Sequence, residues 1–84
     1  MTATTAEKVR FRLRVHLDLP SPEERRKLRE AADMTQEELA DAIGVTRQTV
    51  SNWEMGVRTP RGVVLDRAVD AYRALRDAMT PEAA

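Results

Sequence analysis

Met34-Thr-Gln-Glu-Glu-Leu-Ala-Asp-Ala-Ile-Gly-Val-Thr-Arg-Gln-Thr-Val-Ser-Asn-Trp-Glu54 is the stretch that decides the fold. Thr35 followed three residues later by Glu38 is a capping box, in which threonine and glutamate satisfy two otherwise orphaned backbone amides at a helix start. The helix it opens carries Leu39, Ala40 and Ile43 inward and stops at Gly44, a residue suited to the left-handed conformation past a helix end. Thr46 is a second N-cap, and the helix after it runs through Val50 and Trp53 to a stop near Gly56. The spacing thus predicts two short helices joined by a tight glycine turn. Small Ala40 lets their backbones approach, and Ile43, Val45, Val50 and Trp53 close a core around the crossing.

On the second helix, Arg47, Gln48, Ser51 and Asn52 lie opposite Val50 and Trp53. Such a polar face can simply be solvated, but its chemistry also suits base edges. Arginine forks onto the two acceptors of guanine, and glutamine or asparagine pairs with the donor and acceptor of adenine. Trp53 at helical spacing reads as a core anchor, and stacking on DNA is the alternative. The stretch from Met34 to Glu54, matched in register and without a gap, resembles the lambda-repressor and Cro-like helix-turn-helix family of bacterial and phage regulators, also called the xenobiotic-response-element family. The resemblance covers roughly residues 23 to 75. It implies binding to a double-stranded DNA operator, usually palindromic and usually by a dimer that represses transcription. It also implies base reading by Arg47, Gln48 and Asn52, with Ser51 and Thr49 secondary. Gln36 matches a position that touches the sugar-phosphate backbone and can brace Gln48. Thr35 and Thr46 stand at helix starts where backbone amides meet phosphates, and Arg58 and Arg61 fall in a loop that approaches the DNA backbone.

Outward from the motif, Val57 to Gly62 reads as a basic loop. A last helix is expected from Val63 to about Met79 on Leu65, Ala68, Val69, Tyr72, Leu75 and Met79, ended by Thr80-Pro81. Upstream, Ser21 reads as an N-cap, Pro22 as the first helical residue and Glu24 as the return arm of another capping box. Leu28, Ala31 and Ala32 form a modest stripe on that helix, which ends at Asp33-Met34.

Residues 8 to 19 alternate strictly: Val9, Phe11, Leu13, Val15, Leu17 and Leu19 on one parity, Lys8, Arg10, Arg12, Arg14, His16 and Asp18 on the other. A period of two predicts a β-strand, because a helix would scatter the apolar side chains around its circumference. No second strand is expected in residues 20 to 84. The expected partner is therefore another copy of the chain, forming an antiparallel ribbon whose Val9-to-Leu19 face makes the dimer interface. Arg10, Arg12 and Arg14 on the outer face are open to three readings: a solvated edge that resists aggregation, additional DNA contacts, or pairing with Glu23, Glu24 and Glu30. His16 has no second histidine with which to hold a metal.

The expected fold class is mainly α, a compact four-helix domain over 20 to 79 preceded by a dimerisation strand over 8 to 19. Residues 1 to 7 are expected as a disordered start and 80 to 84 as a tail. The chain has 84 residues, no cysteine, one histidine and only three aromatics. That leaves no disulfide framework, no catalytic constellation and no expected cofactor, metal or small-molecule ligand. No long apolar run suggests a membrane span and no signal peptide is legible, so a cytoplasmic protein is expected. The formal charge is zero, which at first argues against nucleic acid. By segment, however, residues 1 to 19 and 46 to 62 are net basic, while 20 to 45 and 63 to 84 are net acidic, so the surface should be polarised. The alternative function is an antitoxin-like adaptor that captures a partner protein through its N-terminal strand and regulates its own synthesis through DNA.

Overall fold

The computed structural model describes residues 2 to 79 and contains five helices among them: α1 (Thr5–Asp18), α2 (Pro22–Ala31), α3 (Gln36–Ile43), α4 (Arg47–Glu54) and α5 (Gly62–Met79). Both the expected tail, 80 to 84, and the expected stop at Thr80-Pro81 lie outside the described residues.

The four helices expected in 20 to 79 are present. Ser21 accepts from the amide of Glu24 at 3.2 Å and Pro22 occupies the first turn of α2. The Glu24 carboxylate does not close a capping box, however; it faces Arg76 of α5 at 3.8 Å. The α3 capping box is complete: Thr35 Oγ1 accepts from Glu38 N at 3.0 Å, and Thr35 N donates to Glu38 Oε1 at 2.9 Å. Accepting from the Thr35 amide holds the Glu38 carboxyl below its ordinary pKa. Gly44 ends α3 at φ 89°. A side chain there would be strained by the backbone and would also meet the Arg67 guanidinium 3.1 Å away.

One core forms where α3 and α4 cross under α5. Leu39, Ala40, Ile43, Val50, Trp53, Ala68, Tyr72 and Leu75 are buried together, and Leu28, Ala32, Met34 and Val45 pack against them. Trp53, 2% exposed, is a core anchor. The Tyr72 hydroxyl is buried without a hydrogen-bond partner among the described residues, and burial pushes its pKa up to about 12.

The expected N-terminal strand is not formed: residues 5 to 18 are helical, and no strand occurs among the described residues. The ribbon that was to pair two copies therefore has no basis, and neither does DNA reading by a basic strand. Two physical reasons account for the difference. A capping box starts the helix: Thr4 Oγ1 accepts from Glu7 N at 3.1 Å, and Thr4 N donates to Glu7 Oε1 at 3.3 Å. Thr5 to Glu7, expected within a disordered start over 1 to 7, are helical. Strict alternation, moreover, is not incompatible with a helix. At 3.6 residues per turn it sorts into two opposite stripes, each with i, i+4 spacing. Phe11, Val15 and Leu19 form one, and Val9, Leu13 and Leu17 form the other.

The first stripe rests on α5. Val15, 4% exposed, packs with Leu65 and Val69, and half-buried Leu19 joins both clusters. Ion pairs flank this contact, Arg12 to Asp66 at 2.6 Å and Arg73 to Asp18. Of the six residues assigned to a dimer face, then, Val15 and Leu19 are used within the chain. Val9, Phe11, Leu13 and Leu17 are exposed.

Candidate nucleic-acid interface

α4 is fixed from behind. Val50, Trp53 and Glu54 are its buried residues, which turns Arg47, Gln48, Ser51 and Asn52 outward. Arg47 and Gln48 are exposed; Thr49, Ser51 and Asn52 are partly so. Thr46 caps the helix, its Oγ1 accepting from Thr49 N at 3.2 Å and lying 2.9 Å from Thr49 Oγ1. Gln48 Nε2 donates to Asn52 Oδ1 at 3.1 Å, one turn along the same face. The two amides are thereby joined as a pair, with the Gln48 carbonyl and the Asn52 amino group not used in the bond between them. This arrangement can present an acceptor and a donor to a base edge.

The loop after α4 is tied to it. Asn52 O accepts from Val57 N at 2.9 Å and from Arg58 N at 3.3 Å. Thr49, Asn52, Arg58, Thr59 and Arg61 border an open groove of about 720 Å³ between α4 and this loop. Arg58 and Arg61 are exposed and have no partner among the described residues. Two unneutralised guanidinium groups therefore stand beside a helix face that carries hydrogen-bonding side chains and no carboxylate of its own.

A buried polar network that sequence reasoning missed holds this face in register. Arg29 of α2 donates to both oxygens of Glu54, Nε to Oε2 at 2.7 Å and Nη2 to Oε1 at 2.9 Å. The hydrogen bonds to Glu54 raise the Arg29 pKa further. Arg29 Nη1 also donates to the Met34 carbonyl at 2.8 Å, securing the turn before α3. Gln36 Nε2 donates to Glu54 Oε1 at 3.2 Å, and Arg47 Nη1 donates to Gln36 Oε1 at 3.3 Å. Gln36 thus braces Arg47, whereas the family resemblance pointed to Gln48. Arg25, 5% exposed, donates to the carbonyls of Pro20 at 2.8 Å and Trp53 at 3.0 Å, closing the last turn of α4 onto the start of α2. Burial lowers the pKa of Arg25.

A signal for the network existed. Glu54 stands four residues after Val50, on the apolar side of α4, and Arg25 and Arg29 share one face of α2 at i, i+4. A carboxylate on a buried face requires a cation.

With this geometry in place, comparison with known proteins is decisive. The helix-turn-helix family model matches residues 26–75, more than half of the chain. The chain belongs to the lambda-repressor and Cro-like helix-turn-helix family of DNA-binding transcriptional regulators. Comparison with curated proteins and with solved structures returned no match. The matched span runs from within α2 to within α5 and includes α3, α4 and the basic loop. α1 lies wholly outside it. The family is a DNA-binding fold and not an enzyme family. No group of potential metal ligands occurs among the described residues, and no helix there is long and apolar enough to cross a membrane.

Proposed function

We propose that the chain is a sequence-specific repressor of bacterial or phage type, two copies of which occupy a twofold-symmetric operator. Arg47, Gln48 and Asn52 read bases in the major groove, with Ser51 and Thr49 in support. Gln36, Arg58 and Arg61 hold the DNA backbone. Thr35 and Thr46 act through the helix N-termini they cap, because their hydroxyls are already engaged and the neighbouring backbone amides remain for phosphate.

The observation that carries this reading is the pairing on α4 of an exposed Arg47-Gln48-Asn52 face with a buried face locked by Trp53 and Glu54. Base readout needs side chains held to a defined register, and that is what the buried network supports. Arg58 and Arg61 supply cations where the overall charge gives none. With the inter-chain ribbon absent, the two copies are brought together by adjacent half-sites, about one helical turn of DNA apart.

Selection of bound DNA from a random pool, followed by footprinting, tests this. A twofold-symmetric site is expected. Gln48→Ala should relax base preference at a cost of about 1 to 3 kcal/mol, while Arg58→Ala should weaken all sequences alike and reduce the salt slope by about one. An unchanged preference in Gln48→Ala would remove α4 from the role of reading helix.

A further inference from the structure

The geometry points to the outer stripe of α1, Val9, Leu13 and Leu17, as a docking surface for an acidic amphipathic helix of another protein. These side chains are 53%, 57% and 84% exposed. They fall on one face at i, i+4 spacing, opposite the stripe that meets α5. Single exposed apolar residues are ordinary, but a contiguous row along a helix marks an interaction site.

Charge decides the occupant. Arg10 and Arg14 border one edge of the stripe, and His16 and Arg12 the other. Arg12 is paired with Asp66; Arg10 and Arg14 have no partner among the described residues. A second copy laid antiparallel would bring the Arg10-Arg14 edge against itself. Laid parallel, it would bring that edge against Arg12 and His16. The antiparallel pairing sets unpaired cation against unpaired cation, which is destabilising where charges face each other closely, and the parallel one offers Arg10 and Arg14 only an arginine already paired with Asp66 and a histidine. The row exposes a few hundred Å², short of the roughly 800 Å² per partner of a stable interface, so it needs electrostatic help that self-pairing does not give. A helix with leucines on one face and glutamates at its edges supplies both parts. The surface lies outside the family match, on an element that packs on α5 and takes no part in the α4 face. A partner could therefore be held while DNA is bound.

The probe is a synthetic peptide of about four helical turns, with leucine at i, i+4 spacing and glutamate at the flanks, titrated into the full chain by calorimetry and by NMR. Binding with shifts centred on α1 is expected, in a chain that sediments as a monomer without peptide. Leu13→Ser and Leu17→Ser should each weaken binding about tenfold or more, with the helical spectrum retained because both side chains are exposed. The double variant Arg10→Glu, Arg14→Glu should lose the glutamate peptide and gain a lysine-flanked one. No binding, or binding indifferent to Leu13→Ser, overturns the proposal. So does a dimer of the free chain that Leu17→Ser dissociates, or binding to anionic phospholipid vesicles with none to the peptide.

Discussion

α4 and α1 each turn one face to solvent and one to the fold, yet they are held in different ways. α4 has eight residues and buries Val50, Trp53 and Glu54; α1 has fourteen and buries only Val15. A helix of eight residues has no stability of its own in water, so α4 exists because its neighbours grip it. α1 relies instead on its capping box, on Val15 seated against α5 and on two partly exposed ion pairs to that helix. The difference teaches where rigidity is placed: under the face that reads DNA, and much less under the peripheral helix. The sharpest way to break the contrast is Glu54→Ala. It leaves Arg29 uncompensated and unhooks Gln36, and should cost about 3 to 5 kcal/mol in denaturant unfolding. A cost below about 1 kcal/mol would mean that the network under α4 matters no more than a surface ion pair.

The same contrast explains what the sequence made legible. In residues 34 to 54, local and global signals agree: caps at Thr35 and Thr46, a left-handed Gly44, and inward Leu39, Ala40, Ile43, Val50 and Trp53 all specify one geometry. In residues 8 to 19 alternation is the dominant signal, and it does not exclude a helix. The period-two pattern fits a strand with one apolar face and equally a helix with two apolar stripes. Thr4 and Glu7, three apart, were the local tie-breaker. The outward residues of α4 followed from periodicity and chemistry together. The Arg29–Glu54–Gln36–Arg47 network did not, because a charged residue's burial depends on which helices meet, and that is a tertiary fact. Gln36 bonds to Arg47, where the resemblance implies Gln48 one residue on.

Alkaline pH separates the two regions next. Tyr72 lies in the core beneath α4, with its pKa raised to about 12 by burial, against an ordinary value of 10.0. The unfolded chain therefore loses the phenolic proton first. The stability this group contributes is complete below pH 10 and is lost as pH rises through about 12, a fall of roughly 2 to 3 kcal/mol. Tyr72 belongs to the core cluster and not to the contact of α1 with α5, so the loss belongs to the core. Tyr72→Phe should remove the decline between pH 10 and 12 and, by deleting an unpaired buried hydroxyl, leave stability at neutral pH unchanged or higher. An identical decline in the variant would show that another group controls the alkaline limb.

Val15→Ala tests the other side. Removing two methyl groups from the contact with Leu65 and Val69 should cost about 1 to 2 kcal/mol. The loss should be local: α1 amides exchange faster, while α3 and α4 keep their protection and DNA binding survives. Loss of protection throughout would mean that α1 is part of the cooperative unit, and the contrast between the regions would collapse.

The smallest effect is expected from Arg12→Ala. Arg12 and Asp66 meet at 2.6 Å, but their side chains are 39% and 45% exposed. In water at that exposure the attraction is screened, and ordering two flexible side chains offsets most of it, leaving less than about 1 kcal/mol. Arg29 and Glu54 differ from this pair in burial far more than in distance, 11% and 2% exposed at 2.7 Å. Removing one arginine from each pair therefore sets a solvated contact against a buried one, the buried one also losing its bond to the Met34 carbonyl. Equal losses in unfolding free energy for Arg12→Ala and Arg29→Ala would refute the claim that α4 is held by a desolvated ion pair and α1 by a solvated one.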